Sequence, residues 1–211
     1  MNSIRCTFVF FTLALAGAAA LCGQTSTTPA QSPSTPAPAD QTHARVASTG
    51  GKSPHETIST VIGERKTGNR ITITYGRPFT KDPKTGAPRK IWGGLVAWDK
   101  ADRLGADEAT LLITQQPLLI GETTIPAGAH TLYIIPSEKN PAKLAFSTNL
   151  GKWGVPVDES HDLARVELKK ESLEKSVDQL TLALENNPAG GGTLKITWEN
   201  TQFSVPFTVK K

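Results

Sequence analysis

The chain has almost no cysteine, which limits how its fold can be stabilised. Its two cysteines, Cys6 and Cys22, both lie within or at the edge of an N-terminal apolar segment. If that segment is removed, no pair of cysteines remains to form an intramolecular disulfide, so the folded part depends on its own core. The same scarcity excludes a cysteine–histidine catalytic pair from the folded region.

Long apolar runs are missing beyond the N-terminal segment, where Arg5 precedes an uncharged apolar run from Thr7 to Leu21. This is the pattern of a secretory signal peptide. The run from Thr7 to Leu21 is shorter than the roughly 20 apolar residues that a transmembrane helix needs. We therefore predict a signal peptide over residues 1–23, no transmembrane helix in the mature chain, and export to the periplasm or the extracellular space. Cys22 offers a site for lipid anchoring, which the large side chain of Leu21 before it disfavours.

An excess of charge of one sign is also lacking. The chain has 23 basic and 19 acidic side chains, a formal net charge of +4. The basic residues are dispersed apart from the short pairs Lys169–Lys170 and Lys210–Lys211. We therefore expect no nucleic-acid partner, because such partners require a concentrated basic surface.

The common catalytic and metal-binding motifs are absent. There is no Gly-x-Ser-x-Gly elbow, and the glycine-rich stretch at 187–192 lacks the Gly-Lys-Ser/Thr ending of a phosphate loop. His55 is not followed by a second histidine four residues later, and His130 and His161 complete no ligand pattern with it. We predict no metal ion and no cofactor, and the motifs assign no reaction.

The composition changes twice along the chain. Residues 24–52 are rich in proline, threonine, serine, alanine and glutamine, which predicts a disordered or polyproline-like linker. From residue 53 to residue 209, short apolar or alternating segments are separated by turn-forming residues. This pattern predicts one all-β domain, a β-sandwich of jelly-roll or immunoglobulin-like type whose strand order the sequence does not assign.

Nine strands are expected in this domain. They cover residues 70–75, 109–114, 118–121, 130–135, 143–147, 163–168, 179–184, 194–198 and 203–209. Short helices are allowed only around residues 95–104 and 170–174. Pro206 cannot donate a hydrogen bond to a neighbouring strand, so it predicts that the last strand lies at a sheet edge.

The residues best suited to binding or chemistry concentrate between Tyr75 and Thr110. Indole rings, arginines and carboxylates together are typical of clefts that bind sugars or peptides. His55 lies where the linker meets the domain and could close such a cleft. The candidate ligand-binding residues are His55, Tyr75, Arg77, Trp92, Arg103, Asp107 and Glu108. The open alternative is that the rings pack against the core while Arg103 pairs with a neighbouring carboxylate.

Arg77 is framed in an unusual way, because it follows an alternating strand and lies between Gly76 and Pro78. Gly76 permits a backbone angle closed to other residues, and Pro78 fixes the exit direction of the chain. The turn therefore predicts a guanidinium held in one direction. It would serve either a ligand or a partly buried ion pair with Glu108 or Asp107.

Several segments together resemble one known family. They are SPHETIS (53–59), ITITYGRP (71–78), RKIWGGLV (89–96), RLGADEAT (103–110), IPAGAHTLYIIP (125–136), KWG (152–154) and LKITWENTQFSVPF (194–207). In combination they are similar to the domain-of-unknown-function family 2911 (DUF2911). The resemblance implies an exported bacterial protein and no agreed activity. Two departures are Asp102, where the family has an aromatic residue, and a surface insertion at 79–88.

Three functions are compatible with these observations. The first is a domain associated with the cell envelope that binds a carbohydrate or a peptide-like ligand. The second is a hydrolase that uses Glu108 or Asp107 as an acid or base with His55 nearby. The third is a structural or protein-interaction module whose arginines and tryptophans serve the fold alone.

Overall fold

The computed structural model describes residues 53–188 and 190–210, together with the backbone of a short strand at His43–Ala44. The predicted signal peptide and almost all of the predicted linker lie outside the described residues, so both stay predictions. In the described part, the only helical element is a short 3-10 turn at Glu159–His161, and the predicted all-β class is confirmed. That part contains no helix long and apolar enough to cross a membrane.

Eleven strands form in the described residues. They are β1 (His43–Ala44), β2 (His55–Ile62), β3 (Asn69–Gly76), β4 (Asp102–Arg103), β5 (Thr110–Thr114), β6 (Leu118–Ile120), β7 (Thr123–Ile125), β8 (Gly128–Ile135), β9 (Ala142–Ser147), β10 (Asp162–Asn186) and β11 (Gly192–Val209). Hydrogen-bonded neighbours run in the order β1-β2-β3-β5-β8-β9-β10-β11-β6-β7, and β4 pairs with β8 beside this path.

The long strand β10 joins the two layers of the sandwich. Its first residues, 162–168, pair with β9, whereas residues 169–186 pair with β11. The pairing with β11 shifts register twice between Ser172 and Thr181. One layer is therefore built on β2, β3, β5, β8 and β9, and the other on the second half of β10 with β11, β6 and β7.

The core lies between these layers. Ile58, Ile73 and Leu132 come from the first layer, and Leu182 and Phe203 come from the second, and all five are buried. Each such side chain contributes roughly 1.5–3 kcal/mol when it leaves water. The described residues contain no cysteine, so this core stabilises them without a disulfide.

Some secondary-structure elements were missed or wrongly predicted from the sequence. Strand β2 was not expected, because its inward positions include the polar residues Glu56 and Thr60. The three-residue strand β7 was also missed. Neither allowed helix forms, since residues 169–172 pair with β11 and residues 95–104 form turns and strand β4.

Pro206 does not mark an edge strand, because β11 lies between β10 and β6. Along β11, Ser204 is the last residue paired with β10, and Thr208 is the first paired with β6. Pro206 falls in the gap between these two pairings. A residue without an N–H is therefore tolerated in a strand that has neighbours on both sides.

Candidate functional site

Strand β2 places the candidate His55 and its neighbour Glu56 on different faces of the sheet, because successive side chains of a strand point to opposite faces. Glu56 points into the core and is 4% exposed. His55 points to the other face, toward the loop that precedes β5. The predicted site residues therefore divide into a buried group around Glu56 and an outer group around His55.

The buried group is a polar network between the two layers. The Tyr75 hydroxyl donates to Glu56 Oε2 over 2.6 Å and accepts a bond from the Leu182 N–H over 2.9 Å. Burial and the hydrogen bond to Glu56 raise the pKa of Tyr75 well above its usual range. Tyr75 thus remains a neutral phenol that holds a carboxylate inside the sandwich.

Arg77 completes this network. Its Nε lies 3.3 Å from Glu56 Oε2 and donates to the Leu180 carbonyl over 3.0 Å. Its Nη2 donates to Thr181 Oγ1 over 2.9 Å. The ion-pair partner of Arg77 is therefore Glu56, and the expectation of Glu108 or Asp107 was wrong. The guanidinium points into the core, and its hydrogen bonds connect the end of β3 to β10.

Glycine is required at position 76 for a reason other than the unusual backbone angle predicted from the sequence. It does not adopt a positive φ. A Cβ at this position would lie 2.1 Å from the carbonyl oxygen of Ala106, so glycine is needed for close approach of that loop. Beyond Pro78 the chain crosses to the second layer, where Phe79 forms a β-bridge with Gln179.

The outer group is centred on His55. Its Nε2 lies 3.0 Å from Glu108 Oε2 and 3.8 Å from Asp107 Oδ2. A hydrogen bond from its own backbone N–H and the neighbouring His55 lower the pKa of Glu108. Because the Glu108 side chain is 68% exposed, water screens this pair and its contribution to stability is small.

Arg103 links two loops of the outer group. One of its Nη atoms donates to the carbonyl of Asp107 and, over 3.0 Å, to the carbonyl of Trp153. Its guanidinium carbon lies 5.4 Å from the centre of the Trp153 ring, within the range of a cation–π contact. Arg103 thus holds these loops through hydrogen bonds to backbone carbonyls. The sequence had offered a salt bridge between Arg103 and a neighbouring carboxylate as the alternative to ligand binding.

A cavity of about 470 Å³ opens beside this outer group, and we call it the loop cavity. Its polar and aromatic lining includes Arg89, Asp102, Arg103, Asp107, Trp153 and Trp198. Burial raises the pKa of the Asp102 carboxyl, while the charge of Arg103 acts in the opposite direction. A smaller cavity of about 250 Å³ shares Arg103, Trp153 and Val155 with the loop cavity.

Three lining residues of the loop cavity carry a buried polar atom without a hydrogen-bond partner. These atoms are Arg89 Nε, Trp198 Nε1 and Asp107 Oδ2. His55 Nδ1 is a fourth such atom, on a ring whose Nε2 lies 3.8 Å from Asp107 Oδ2. All four atoms are closed off from solvent. Leaving a buried donor or acceptor unpaired costs about 1–3 kcal/mol, so the wall around the loop cavity contains polar groups that the fold does not satisfy.

The rim of the loop cavity is apolar. Leu95, Trp153 and Val155 line it and are 47%, 54% and 55% exposed. Large apolar side chains left in water cost free energy unless a partner covers them. Apolar surface around a few convergent polar groups is the usual composition of a ligand-binding pocket.

Some predicted residues lie outside this cavity. Tyr75 and Arg77 belong to the buried network, and Trp92 is buried in the core with its ring edge-on to Phe203. The Trp92 Nε1 donates to the Trp198 carbonyl over 3.2 Å. Arg103 and Asp107 line the cavity. His55 lies beside it, in contact with both Asp107 and Glu108.

Three further residues that line the cavity were not among the candidates from the sequence. They are Arg89, Trp153 and Trp198. The signal lay in the RKIWGGLV, KWG and LKITW segments, which supply these three residues from distant parts of the chain. No cluster of histidine, cysteine and carboxylate side chains within the described residues has the geometry to hold a metal ion.

The fold and site define a β-sandwich domain with a polar cavity among its loops. A family model described as "Protein of unknown function (DUF2911)" matches residues 53–207. The chain belongs to this family, which confirms the resemblance drawn from the sequence motifs. No curated protein and no solved structure was found to match the chain. The family description names no activity, so a function has to be argued from the site.

Proposed function

We propose that this protein is an exported domain that binds a small polar ligand, a carbohydrate or peptide-like component of the cell envelope, in the loop cavity. One observation carries the proposal: charged residues, Arg89, Arg103 and Asp107, line one cavity together with the exposed apolar side chains of Leu95, Trp153 and Val155. A ligand with hydroxyl, amide or carboxylate groups beside an apolar face would complement this lining. Export is proposed from the signal-like pattern of residues 1–23.

The cavity offers both kinds of contact that such a ligand needs. The exposed ring of Trp153 supplies a flat surface on which a sugar or a peptide plane can stack. Arg89 and Arg103 provide fixed N–H donors, and Asp107 provides an acceptor. The apolar surface gives affinity, and the polar groups set the orientation of the ligand.

A thermal-shift screen of the full-length protein tests this proposal. The probes are envelope sugars, peptidoglycan fragments and divalent metal ions. A ligand present at about 100 times its dissociation constant should raise the free energy of unfolding by roughly 2.7 kcal/mol. If no sugar or peptide probe shifts the melting temperature, the binding proposal fails.

Two variants locate the site of any shift. Trp153→Ala removes the exposed ring from the cavity and should weaken binding by about 1 kcal/mol, or roughly fivefold. Leu150→Ala removes a side chain that is 42% exposed in the same loop but does not line the loop cavity. Equal weakening by both variants would place the ligand elsewhere.

The second candidate is a hydrolase, and the contact of His55 with Glu108 and Asp107 favours it. An imidazole within 4 Å of two carboxylates can exchange protons with them at the cavity wall. Glu108→Gln should then abolish turnover of a ligand found in the screen while leaving its affinity unchanged. Equal loss of binding and turnover would speak against catalysis.

A further inference from the structure

Strand β2 presents an edge of the sheet that favours pairing with another strand. Residues 57–62 carry no charge, and all of them except Ser59 are β-branched. Residues of this kind favour strands, and an uncharged edge strand offers unpaired N–H and C=O groups to other chains. β2 pairs with β3 along its whole length, but on its other side the structure describes a partner only for Thr57 and Ile58, in β1. In the described part of the chain, the stretch 59–62 is therefore open on that side.

The direction of the backbone shows which groups of this stretch are open. Arg70 lies opposite Val61 in β3, and its own N–H and carbonyl bond to Gln115 on the far side of β3. The backbone groups of Val61 therefore face away from β3, and so do those of Ser59, because the direction alternates along a strand. The Val61 carbonyl accepts from Asn186 Nδ2 over 3.3 Å. The open groups are thus the N–H and carbonyl of Ser59 and the N–H of Val61.

A groove of about 640 Å³ lies at this open edge, and we call it the edge groove. Its lining residues are Ser59, Thr60, Val61, Gly63, Arg65, Arg70 and Asn186, none of which is acidic. Arg65 and Arg70 are both exposed. Two positive charges without a carboxylate in the lining favour an acidic occupant.

The pairing of β1 with β2 brings an acidic residue of the chain itself to this groove. The pairing is antiparallel, so its register can be continued toward the N-terminus. In that register Thr42 falls opposite Ser59. Asp40 falls opposite Val61 and thus in the same cross-strand row as Arg70, two strands or about 10 Å away. Asp40 is the only carboxylate in the predicted linker, so the charge falls where the edge groove is positive.

We propose that linker residues 40–42 continue β1 along the open edge of β2, with Asp40 beside the two arginines of the edge groove. Thr42 and Ser59 exchange two backbone hydrogen bonds, and the Val61 N–H bonds to the Asp40 carbonyl. An occupied edge cannot pair with a second chain, so this segment keeps the protein from associating edge to edge. The edge groove shares no lining residue with the loop cavity, so this inference does not depend on the proposed function.

Amide hydrogen exchange of the full-length protein, followed by NMR, tests the proposal with two adjacent proline variants. Thr42→Pro removes the N–H that bonds to the Ser59 carbonyl, so exchange of the Ser59 amide should become about tenfold faster, the effect of one hydrogen bond. Gln41→Pro removes an N–H that points away from β2, where proline is tolerated, and should leave this rate within about twofold. The Thr60 amide faces β3 and should exchange at one rate in all three proteins.

A charge reversal tests the contribution of the edge groove. Asp40→Arg places a positive charge beside Arg65 and Arg70, and exchange of the Ser59 amide should become about threefold faster, the scale of an exposed ion pair. Adding Arg70→Asp restores a pair of opposite charges and should slow this exchange again. If Asp40→Arg leaves the rate unchanged, the carboxylate does not lie at the groove and its assignment is wrong.

The other outcomes decide between the linker and a second chain. Equal exchange of the Ser59 amide in the wild type, Thr42→Pro and Gln41→Pro would overturn the proposal. Protection that grows with protein concentration would assign the edge to a second copy and would also overturn it. In analytical ultracentrifugation Thr42→Pro should associate more strongly than Gln41→Pro, and equal association of the two would contradict the protective role.

Discussion

At Glu56 and Arg77, two charges are held almost out of water between the layers, with 5% and 12% of their side chains exposed. Removing one member of a buried pair leaves the other without its counter-ion. Arg77→Ala should therefore lower the free energy of unfolding by about 3 kcal/mol in urea denaturation. Ligand binding by the folded variant should be unchanged, because Arg77 does not line the loop cavity.

Arg70 provides the control for this prediction, because it is exposed on β3, the strand that Arg77 directly follows. Arg70→Ala should change stability by less than about 0.5 kcal/mol. If Arg77→Ala is as stable as Arg70→Ala, the buried network does not support the sandwich as described.

The two tyrosines give a second test at the residue scale. Tyr75 donates to Glu56 and Tyr133 to Asp162, and burial together with these bonds raises the pKa of both phenols above their usual range. Because folding favours the neutral phenols, their contribution to stability is complete below about pH 10 and is lost as the pH rises further.

Ultraviolet titration measures this effect directly. Because the chain has only 2 tyrosines, all of its tyrosinate absorbance comes from these positions. The native protein should show little tyrosinate near pH 10 and then a steep rise as the fold is lost. The urea-unfolded protein should titrate near the usual value of about 10. A gradual native titration around that value would contradict the buried network.

Residue patterns showed which types of side chain matter but not which of them meet. The sequence grouped His55, Tyr75 and Arg77 in one cleft, whereas the structure places the last two inside the core. Inward and outward positions depend on strand register, and β2 was not recognised because Glu56 occupies an inward position. The partner of Arg77 could not be predicted without that strand.

At the scale of elements, the loop before β5 is positioned by its contact with the end of β3. The Ala106 N–H bonds to the Gly76 carbonyl, and Asp107 adopts a positive φ of 62°. Gly76→Ala would place a methyl group 2.1 Å from the Ala106 oxygen and displace this loop. We expect a loss of more than about 2 kcal/mol in stability and a parallel loss of ligand affinity.

Gly86→Ala is the control for this change. Its Cβ would meet no atom within 4 Å, and only its positive φ of 72° opposes the substitution. This strain costs about 1 kcal/mol and leaves the loop cavity intact. If Gly76→Ala binds ligand with unchanged affinity, the Gly76 contact does not position the Asp107 wall.

The strands themselves were largely predictable because alternation and turn residues are local signals. Strands β3, β5, β8 and β9 lie within one or two residues of their predicted bounds. The continuity of β10 was not predictable, since the mostly polar residues 170–174 are compatible with a short helix. Pairing with β11 decides their conformation, and that pairing depends on residues far along the chain.

At the scale of the whole molecule, the sequence predicts a linker at residues 24–52 followed by a domain that begins at residue 53, and the family match begins at the same residue. Limited proteolysis should cleave within residues 24–42, before the short strand β1 that pairs with β2, and leave a resistant fragment that ends near residue 209. Mass spectrometry gives the bounds, and the melting temperature of the fragment should equal that of the intact chain. Cleavage inside the 53–209 range at the same rate would contradict this boundary.

The central claim is that the loop cavity is the binding site of this protein, and a crystal structure with the best ligand of the thermal-shift screen tests it most directly. We predict density for the ligand in this cavity, in contact with the lining residues Arg103, Asp107 and Trp153. Density in the smaller cavity beside Leu132 and Tyr133 would contradict the claim.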